Sequence, residues 1–198
     1  MLRSFVLLIV SAFLYLGCST NVPTQAQDHR GVYLLFSPTK ARLAKIDVIK
    51  DMFTYIINDM SPGDTLVIDS ANHEPLQIEL SKNPALAYEQ KRAFRSNLDL
   101  FLKQIKPTKT CQIDNALVRA KEYLSKKHIK HRSILLCSDA KVLKRRVRQL
   151  DGITISLLNF IDQKTLDISK IAKKIKKANG TLVVAAQLTD LDKALSYR

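Results

Sequence analysis

The residues of this sequence that could do chemistry gather in four short segments, at 37–41, 69–72, 109–114 and 138–141. They offer hydroxyls, carboxylates and a thiol, which are groups that bind cations or polar partners. The candidate binding residues in them are Ser37, Thr39, Lys40, Asp69, Cys111, Ser138 and Asp139. Each segment borders a predicted strand or helix, and ligands of a parallel sheet sit where its strands end. We therefore expect these residues to share one binding surface.

Catalytic signatures are absent from the sequence. It has no G-x-S-x-G elbow, no P-loop and no dinucleotide-binding glycine fingerprint, and it contains only five glycines. None of the four histidines pairs with another on a predicted helix face beside a supporting Glu. Cysteine catalysis would need a histidine beside Cys111 or Cys137, and the pattern gives no reason to place one there. We predict a non-enzymatic protein without catalytic residues or cofactor, with an envelope enzyme of unrecognised type as an alternative.

The elements that must position these residues alternate along the chain. Short apolar or alternating runs predict strands at 32–36, 65–69, 76–80, 133–137, 153–158 and 181–185. Three- and four-residue apolar spacings predict helices at 45–60, 85–105, 113–124, 142–150, 166–178 and 188–197. Such alternation predicts an α/β fold with a mostly parallel central sheet of about six strands and helices on both faces. The 76–80 run alternates polar and apolar residues, as an edge strand or a half-buried strand would.

The amino terminus has the layout of a secretory signal. Arg3 precedes an apolar run at 5–16, and small residues end that run. The run is shorter than the ~20 residues that a membrane-spanning helix needs. Residues 14–18 (LYLGC) resemble the lipobox of bacterial lipoproteins, whose cysteine is diacylated and becomes the new terminus after cleavage. An uncleaved signal anchor, or a plain signal with an incidental Cys18, is the alternative.

The lipobox resemblance implies a division of the chain into three parts. Residues 1–17 would be the signal peptide, 18–30 the lipidated Cys18 with a flexible polar tether, and 31–198 one α/β domain. Ser19 stands where an Asp would resemble an inner-membrane retention signal. We therefore expect a lipid anchor in the cell envelope, at the periplasmic face of the outer membrane rather than the inner membrane, if the host has two membranes.

Positive charge is concentrated in the second half of the chain. Residues 1–100 hold ten Lys/Arg and ten Asp/Glu, so residues 101–198 carry the whole net charge of +14. The predicted basic face consists of Lys126, Lys127, Lys130, Arg132, Lys144, Arg145, Arg146 and Arg148. Such a surface favours an anionic envelope component or an acidic protein as partner, and export argues against nucleic acid. The alternative is that these side chains are merely the solvated faces of helices.

Two segments resemble the loops of a von Willebrand factor A domain. Residues 111–117 (CQIDNAL) stand where that family usually has Thr-Asn-Ile-x-x-Ala-Leu, and 134–141 (ILLCSDAK) match a strand that usually ends Thr-Asp-Gly. Ser37-x-Thr39-x-Ala41 takes the place of Asp-x-Ser-x-Ser. The resemblance covers nearly all of 31–198 and implies a Rossmann-like fold. In that family these loops hold a divalent cation, usually magnesium, that accepts an acidic group from a partner.

Most of the cation motif is missing here. The first segment lacks its carboxylate, Cys111 replaces a threonine, and only Ser138 and Asp139 remain of the third segment. Because magnesium relies on carboxylate and other oxygen ligands, we predict a degenerate site without metal. Asp139 would then cap the following helix. The alternative is a magnesium-dependent adhesion domain that uses Ser37, Thr39 and Asp139.

The resemblance also places Cys111 and Cys137 on neighbouring walls of that site. With Cys18 acylated, they form an even pair in an oxidising compartment, where a disulfide is plausible. Two buried thiols that behave as small apolar residues are the alternative. Taken together, these features predict a membrane-tethered, non-catalytic protein-binding module.

Overall fold

A computed structural model describes residues 29–70, 73–108, 113–126, 129–137, 150–158, 168–185 and 188–195. Their strands are β1 (Arg30–Phe36), β2 (Thr65–Asp69), β3 (Leu76–Glu79), β4 (His131–Cys137), β5 (Ile153–Leu158) and β6 (Thr181–Ala185). They form one sheet in the order β3-β2-β1-β4-β5-β6. Only β3 runs antiparallel to its neighbour, at the edge of this sheet. The predicted mostly parallel sheet is therefore confirmed, and the alternating strand, expected to be an edge or a half-buried strand, lies at the edge.

The helices of the described residues are α1 (Lys40–Leu43), α2 (Ile46–Asp59), α3 (Pro84–Gln104), α4 (Ile113–Lys126), α5 (Ile168–Lys177) and α6 (Leu191–Leu195). A 3₁₀ turn at Leu188–Asp190 leads into α6, where the sequence predicted one continuous helix. The short α1 was not predicted. The predicted helix at 142–150 lies outside the described residues apart from Leu150. Within the described parts of the chain, no helix is long and apolar enough to cross a membrane.

Local sequence explains which side chains α2 buries and where α3 begins. In α2 the apolar side chains recur every three or four residues, and Met52, Phe53 and Ile56 are fully buried. Helix α3 begins after Asn83, whose Oδ1 accepts a hydrogen bond from the Ala85 N–H at 3.0 Å. Truncating a buried aromatic such as Phe53 to alanine typically costs ~3–5 kcal/mol.

The core consists of two apolar layers, one on each face of the sheet. Successive strand residues point to opposite faces, so Leu34 and Phe36 contribute to one layer and Tyr33 and Leu35 to the other. Helices α2, α3 and α6 cover the first face, which we call the α2 face. Helices α4 and α5 cover the second, the α4 face. Helices on both faces were predicted and are confirmed.

An ion-pair cluster fixes the point where the chain enters β1. The Arg30 backbone N–H and Nε donate to the two carboxylate oxygens of Asp64 at 2.8 and 3.0 Å, and Nη1 reaches Asp59 at 2.8 Å. Asp64 is buried. Burial would lower the pKa of Arg30, but its bonds to Asp59 and Asp64 raise that pKa overall. The start of β1 is thus held against the segment that leads into β2.

Candidate functional site

The predicted site lies at the edge where β1, β2 and β4 end. The strand order reverses between β1 and β4, which is the switch point where ligands of open α/β sheets bind. The Ser37 N–H donates to the Cys137 carbonyl at 3.1 Å, so the segment after β1 starts against the end of β4. We call this the carboxyl edge. The structure places Ser37, Thr39, Lys40 and Asp69 at or next to it, as predicted.

The segment after β1 uses its polar groups internally. The Ser37 carbonyl accepts hydrogen bonds from the Thr39 N–H at 2.9 Å and from Nη1 of Arg42 at 3.0 Å. The Thr39 hydroxyl accepts a hydrogen bond from the Arg42 N–H at 3.4 Å and caps the N-terminus of α1. This cap explains why a short helix forms here, which was not predicted from the sequence. Arg42 is 2% exposed. A buried guanidinium therefore stands behind the segment that follows β1.

Asp69 is the buried acid of the carboxyl edge. Its side chain has 0% exposure and accepts a hydrogen bond from the Tyr33 hydroxyl at 2.8 Å. Arg119 of α4 donates through Nη2 to both carboxylate oxygens, at 2.9 and 3.2 Å, and through Nε at 3.3 Å. The charge of Asp69 is thus balanced by a cation of this chain, on the α4 face of the sheet.

The pKa values of both partners shift accordingly. Burial, together with the hydrogen bond to Asp69 and its negative charge, raises the pKa of Tyr33 well above the ordinary tyrosine value. Burial would lower the pKa of Arg119, but its hydrogen bond and ion pair with Asp69 raise that pKa. At neutral pH the cluster therefore holds a neutral phenol and a guanidinium around the Asp69 carboxyl group.

Sequence reasoning missed the two partners of Asp69. Tyr33 reads as one more member of an apolar strand. Arg119 lies between Ala116 and Tyr123, at the edge of the apolar stripe of α4. A charged residue next to a buried stripe was the only feature of the sequence that could have suggested a buried partner. Tyr33 is 36 positions from Asp69 in the sequence, and Arg119 is 50 positions from it. Neither residue type indicates a partner so far away.

Two further hydroxyls at this edge were also missed. Ser70 follows β2 and is 1% exposed, and its hydroxyl makes no hydrogen bond among the residues that the structure describes. The Thr108 N–H donates to the Pro38 carbonyl at 2.9 Å, which ties the segment after α3 to the segment after β1. The Thr108 hydroxyl is likewise buried without a hydrogen bond in the described ranges. The edge therefore presents neutral hydroxyls beside the guanidiniums of Arg42 and Arg119.

The described part of this edge presents no open carboxylate to a divalent cation. Magnesium needs several oxygen ligands, with carboxylates that are open to it, and Asp69 is enclosed by Tyr33 and Arg119. No group of three or more His, Cys, Asp or Glu side chains that could hold a metal occurs among the described residues. Cys111, Ser138 and Asp139 lie outside the described ranges, so the remainder of the predicted site stays a prediction.

The described residues of the predicted basic face lie at a different edge of the sheet from the predicted site. Lys130 and Arg132 lie where β4 begins, at the opposite edge of the sheet from Ser37 and Asp69. The side chain of Lys126 and the residues Lys127, Lys144, Arg145, Arg146 and Arg148 are outside what the structure describes, as is Cys18. The two described members of the face are therefore separated from the carboxyl edge by the length of β4.

Cys137 lies in the apolar layer of the α2 face and has 0% exposure. Helix α4, which begins two residues after Cys111, covers the other face. A disulfide needs Cβ atoms within roughly 3.5–4.5 Å of each other. Because Cys111 is outside the described residues, the predicted pairing is not tested, but the direction of Cys137 favours the alternative of a buried thiol.

Neither a protein-family model nor a curated protein matches this sequence.

Proposed function

We propose that this chain is a membrane-tethered, non-catalytic protein-binding module of a bacterial envelope. In this proposal Cys18 carries the lipid anchor, residues 19–29 form the tether that ends where β1 begins at Arg30, and a Rossmann-like von Willebrand A domain contacts the partner. The resemblance of residues 111–117 and 134–141 supports the family. The six-stranded sheet with its switch point between β1 and β4 is consistent with it.

One observation carries the proposal that the domain binds without a metal. The Asp69 carboxylate is buried and bonded to Tyr33 and Arg119, so it is not presented to a ligand. Arg42, buried behind Ser37, donates from Nη1 to the Ser37 carbonyl, so a guanidinium of this chain already holds the segment after β1. The described part of this edge therefore offers no open carboxylate to a cation.

Metal binding is tested by titrating the full chain with magnesium and manganese in a calorimeter. We expect no saturable heat, because the carboxylates of the site are too few. Saturable binding that disappears in Asp139→Ala would overturn this part of the proposal and establish the metal-dependent adhesion alternative.

The partner surface is tested by crosslinking the chain in envelope membranes and comparing two charge variants. The first changes Lys144, Arg145, Arg146 and Arg148 to glutamine. The control changes four exposed cations of the neutral half, Lys50, Lys82, Arg92 and Arg95, to glutamine. We expect only the first variant to lose a salt-sensitive crosslinked partner. Equal behaviour of the two variants would remove the basic face from the proposal.

A further inference from the structure

Strand β3 ends the sheet on one side and offers its outer backbone groups to a further strand. Within the described residues it pairs only with β2. The Leu80 N–H donates to the Asp64 carbonyl at 2.9 Å, so the backbone of Leu80 is directed toward the β2 side. Residues of an antiparallel pair bond alternately toward their partner strand and away from it. The N–H and C=O groups of Gln77 and Glu79 therefore point outward, and such an edge can pair with another chain.

A stripe of uncharged side chains runs along one flank of α3. Leu86, Ala93 and Leu100 are seven residues apart, so they line up on one side of the helix. All three are exposed, Leu86 by 56% and Leu100 by 57%. The stripe also contains Gln90, Asn97 and Gln104 and carries no charge. Leucines exposed to this degree in one row are typical of an interaction surface.

The contacts of α3 show which way this stripe faces. On one flank of α3, Nζ of Lys91 donates to the Asn58 carbonyl at 3.0 Å, so α2 lies on that side. On the other flank, Oε1 of Gln90, a member of the stripe, accepts a hydrogen bond from the Ser81 N–H at 2.7 Å. The stripe therefore lies on the β3 side of α3, above the free edge of the sheet. We call β3 and this stripe together the β3 edge.

The middle of the stripe lies level with the middle of β3. Gln90 is bonded to Ser81, just after β3, and the ring centroid of Phe101 is 5.9 Å from that of His73, just before β3. Helix α3 therefore runs antiparallel to β3, and Ala93 lies near the level of the strand centre. A small side chain at this point lets another helix approach closely.

We infer that the β3 edge binds a second copy of this chain in a symmetric dimer. A two-fold axis through Ile78, perpendicular to the sheet, pairs β3 with its own copy in antiparallel orientation and joins the two sheets. Gln77 then lies opposite Glu79 of the partner subunit. In this register the outward N–H and C=O groups of both residues are hydrogen-bonded in each chain.

The same axis brings the two α3 helices together. Because Ala93 lies near the level of the axis, it faces its own copy, and Leu86 meets Leu100 of the partner subunit at both ends. A two-fold interface requires a surface that complements itself in this way. The axis also reverses the strand direction, so the two carboxyl edges would lie at opposite ends of the dimer.

Charge complementarity favours this register and a second copy as the occupant. With the axis at Ile78, Glu74 lies opposite Lys82 of the partner subunit on both sides of the axis, and both residues are exposed. Opposite charges across a strand pair are stabilising. Moving the axis by one residue, to Gln77, would place Glu74 opposite Leu80 instead. The β3 edge thus supplies its own complement in hydrogen bonds, apolar contact and charge.

The dimer is tested with the whole chain, extracted from membranes in a neutral detergent, by sedimentation velocity at graded concentrations. We expect a dimer whose Kd rises at least tenfold when Leu86 and Leu100 are both changed to glutamate, because charge then enters the stripe. Tyr88→Glu is the control, since Tyr88 is 65% exposed on another side of α3 and should not affect the dimer. A monomer at every concentration, or an equal effect of the control, would overturn the inference.

The register is tested by charge reversal in the same measurement. Glu74→Lys and Lys82→Glu should each weaken the dimer roughly tenfold, because each places like charges opposite one another. The double variant should regain the wild-type Kd. If the double variant is as weak as the single variants, the axis does not pass through Ile78.

The identity of the occupant is tested by oxidative crosslinking in membranes. Ala93→Cys should give a covalent dimer linked through position 93, whereas Arg92→Cys, at an exposed position on a different side of α3, should not. Linkage of position 93 to a different protein, without the dimer, would show that the β3 edge serves another partner and would overturn the assignment. The dimer requires neither the lipid anchor nor a metal-free carboxyl edge, so its failure would leave the proposed function standing.

Discussion

The carboxylate of Asp69 at the end of β2 and the guanidinium of Arg119 in α4 form a two-point ion pair, with Nη2 at 2.9 Å from one oxygen and 3.2 Å from the other. Asp69 is fully buried, whereas the side chain of Arg119 is 44% exposed. The pair is therefore asymmetric, because only one of its charges can regain water if the other is removed.

This asymmetry predicts the order of stability of two variants. Arg119→Met leaves a buried carboxylate without its cation, and we expect a loss of about 3 kcal/mol. Asp69→Asn leaves a half-exposed guanidinium that water can solvate, so we expect a smaller loss of about 1–2 kcal/mol. Urea unfolding measures both. Arg92→Met, at an exposed position of α3, is the control, and an Arg119→Met protein as stable as this control would contradict the prediction.

The raised pKa of Tyr33 predicts that the stability of the folded chain depends on pH in the alkaline range. Its pKa in the folded chain is raised above the ordinary value of about 10, so the folded state retains this proton longer than the unfolded state. The stability that it contributes is present below about pH 10 and is lost as the pH rises toward the folded pKa. We expect Tyr33→Phe to be less stable than the wild type at neutral pH, by ~1–3 kcal/mol, with a difference that shrinks above pH 10.

The measurement is urea unfolding of wild type and Tyr33→Phe at a series of pH values. Tyr88→Phe removes a hydroxyl from a residue that is 65% exposed and should follow the wild-type curve. A constant difference between Tyr33→Phe and wild type across the alkaline range would show that the Tyr33 hydroxyl is not linked to Asp69 as argued.

The lipobox resemblance predicts a specific covalent product. The mature chain should begin at Cys18 and carry a diacylglyceryl group on its thiol, because cleavage follows acylation in that family. Intact mass measurement of membrane-extracted protein detects the group. Cys18→Ser should lack it and stay unprocessed. An unmodified chain that begins at another residue would establish the plain-signal alternative.

The position of Cys137 predicts the outcome for the cysteine pair. Since it packs among the apolar side chains of the α2 face, we expect Cys111 and Cys137 to remain unlinked. Alkylation of the unfolded chain without reductant, followed by peptide mass mapping, should label both thiols. Recovery of a linked 111–137 peptide would show that the disulfide forms and that the strand end differs from this description.

Sequence alone was sufficient for much of the fold. The sequence predicted the buried strand 65–69 and the apolar stripe of α2 through Met52, Phe53 and Ile56. Such elements can be recognised because the spacing of apolar side chains along the chain differs between strands and helices. The six strands and helices on both faces followed from the same patterns. So did the expectation that Ser37, Thr39 and Asp69 lie where strands end.

Only the tertiary structure decided which residues meet. Strand order and register bring Tyr33, Asp69 and Arg119 together and align Ser133 with Thr154 and Thr181. Periodicity tells which side of an element is buried, but not which strand lies beside it or at what offset. The direction of Asp69 toward Arg119, rather than toward a ligand, depends on such an offset and so could not be derived from sequence.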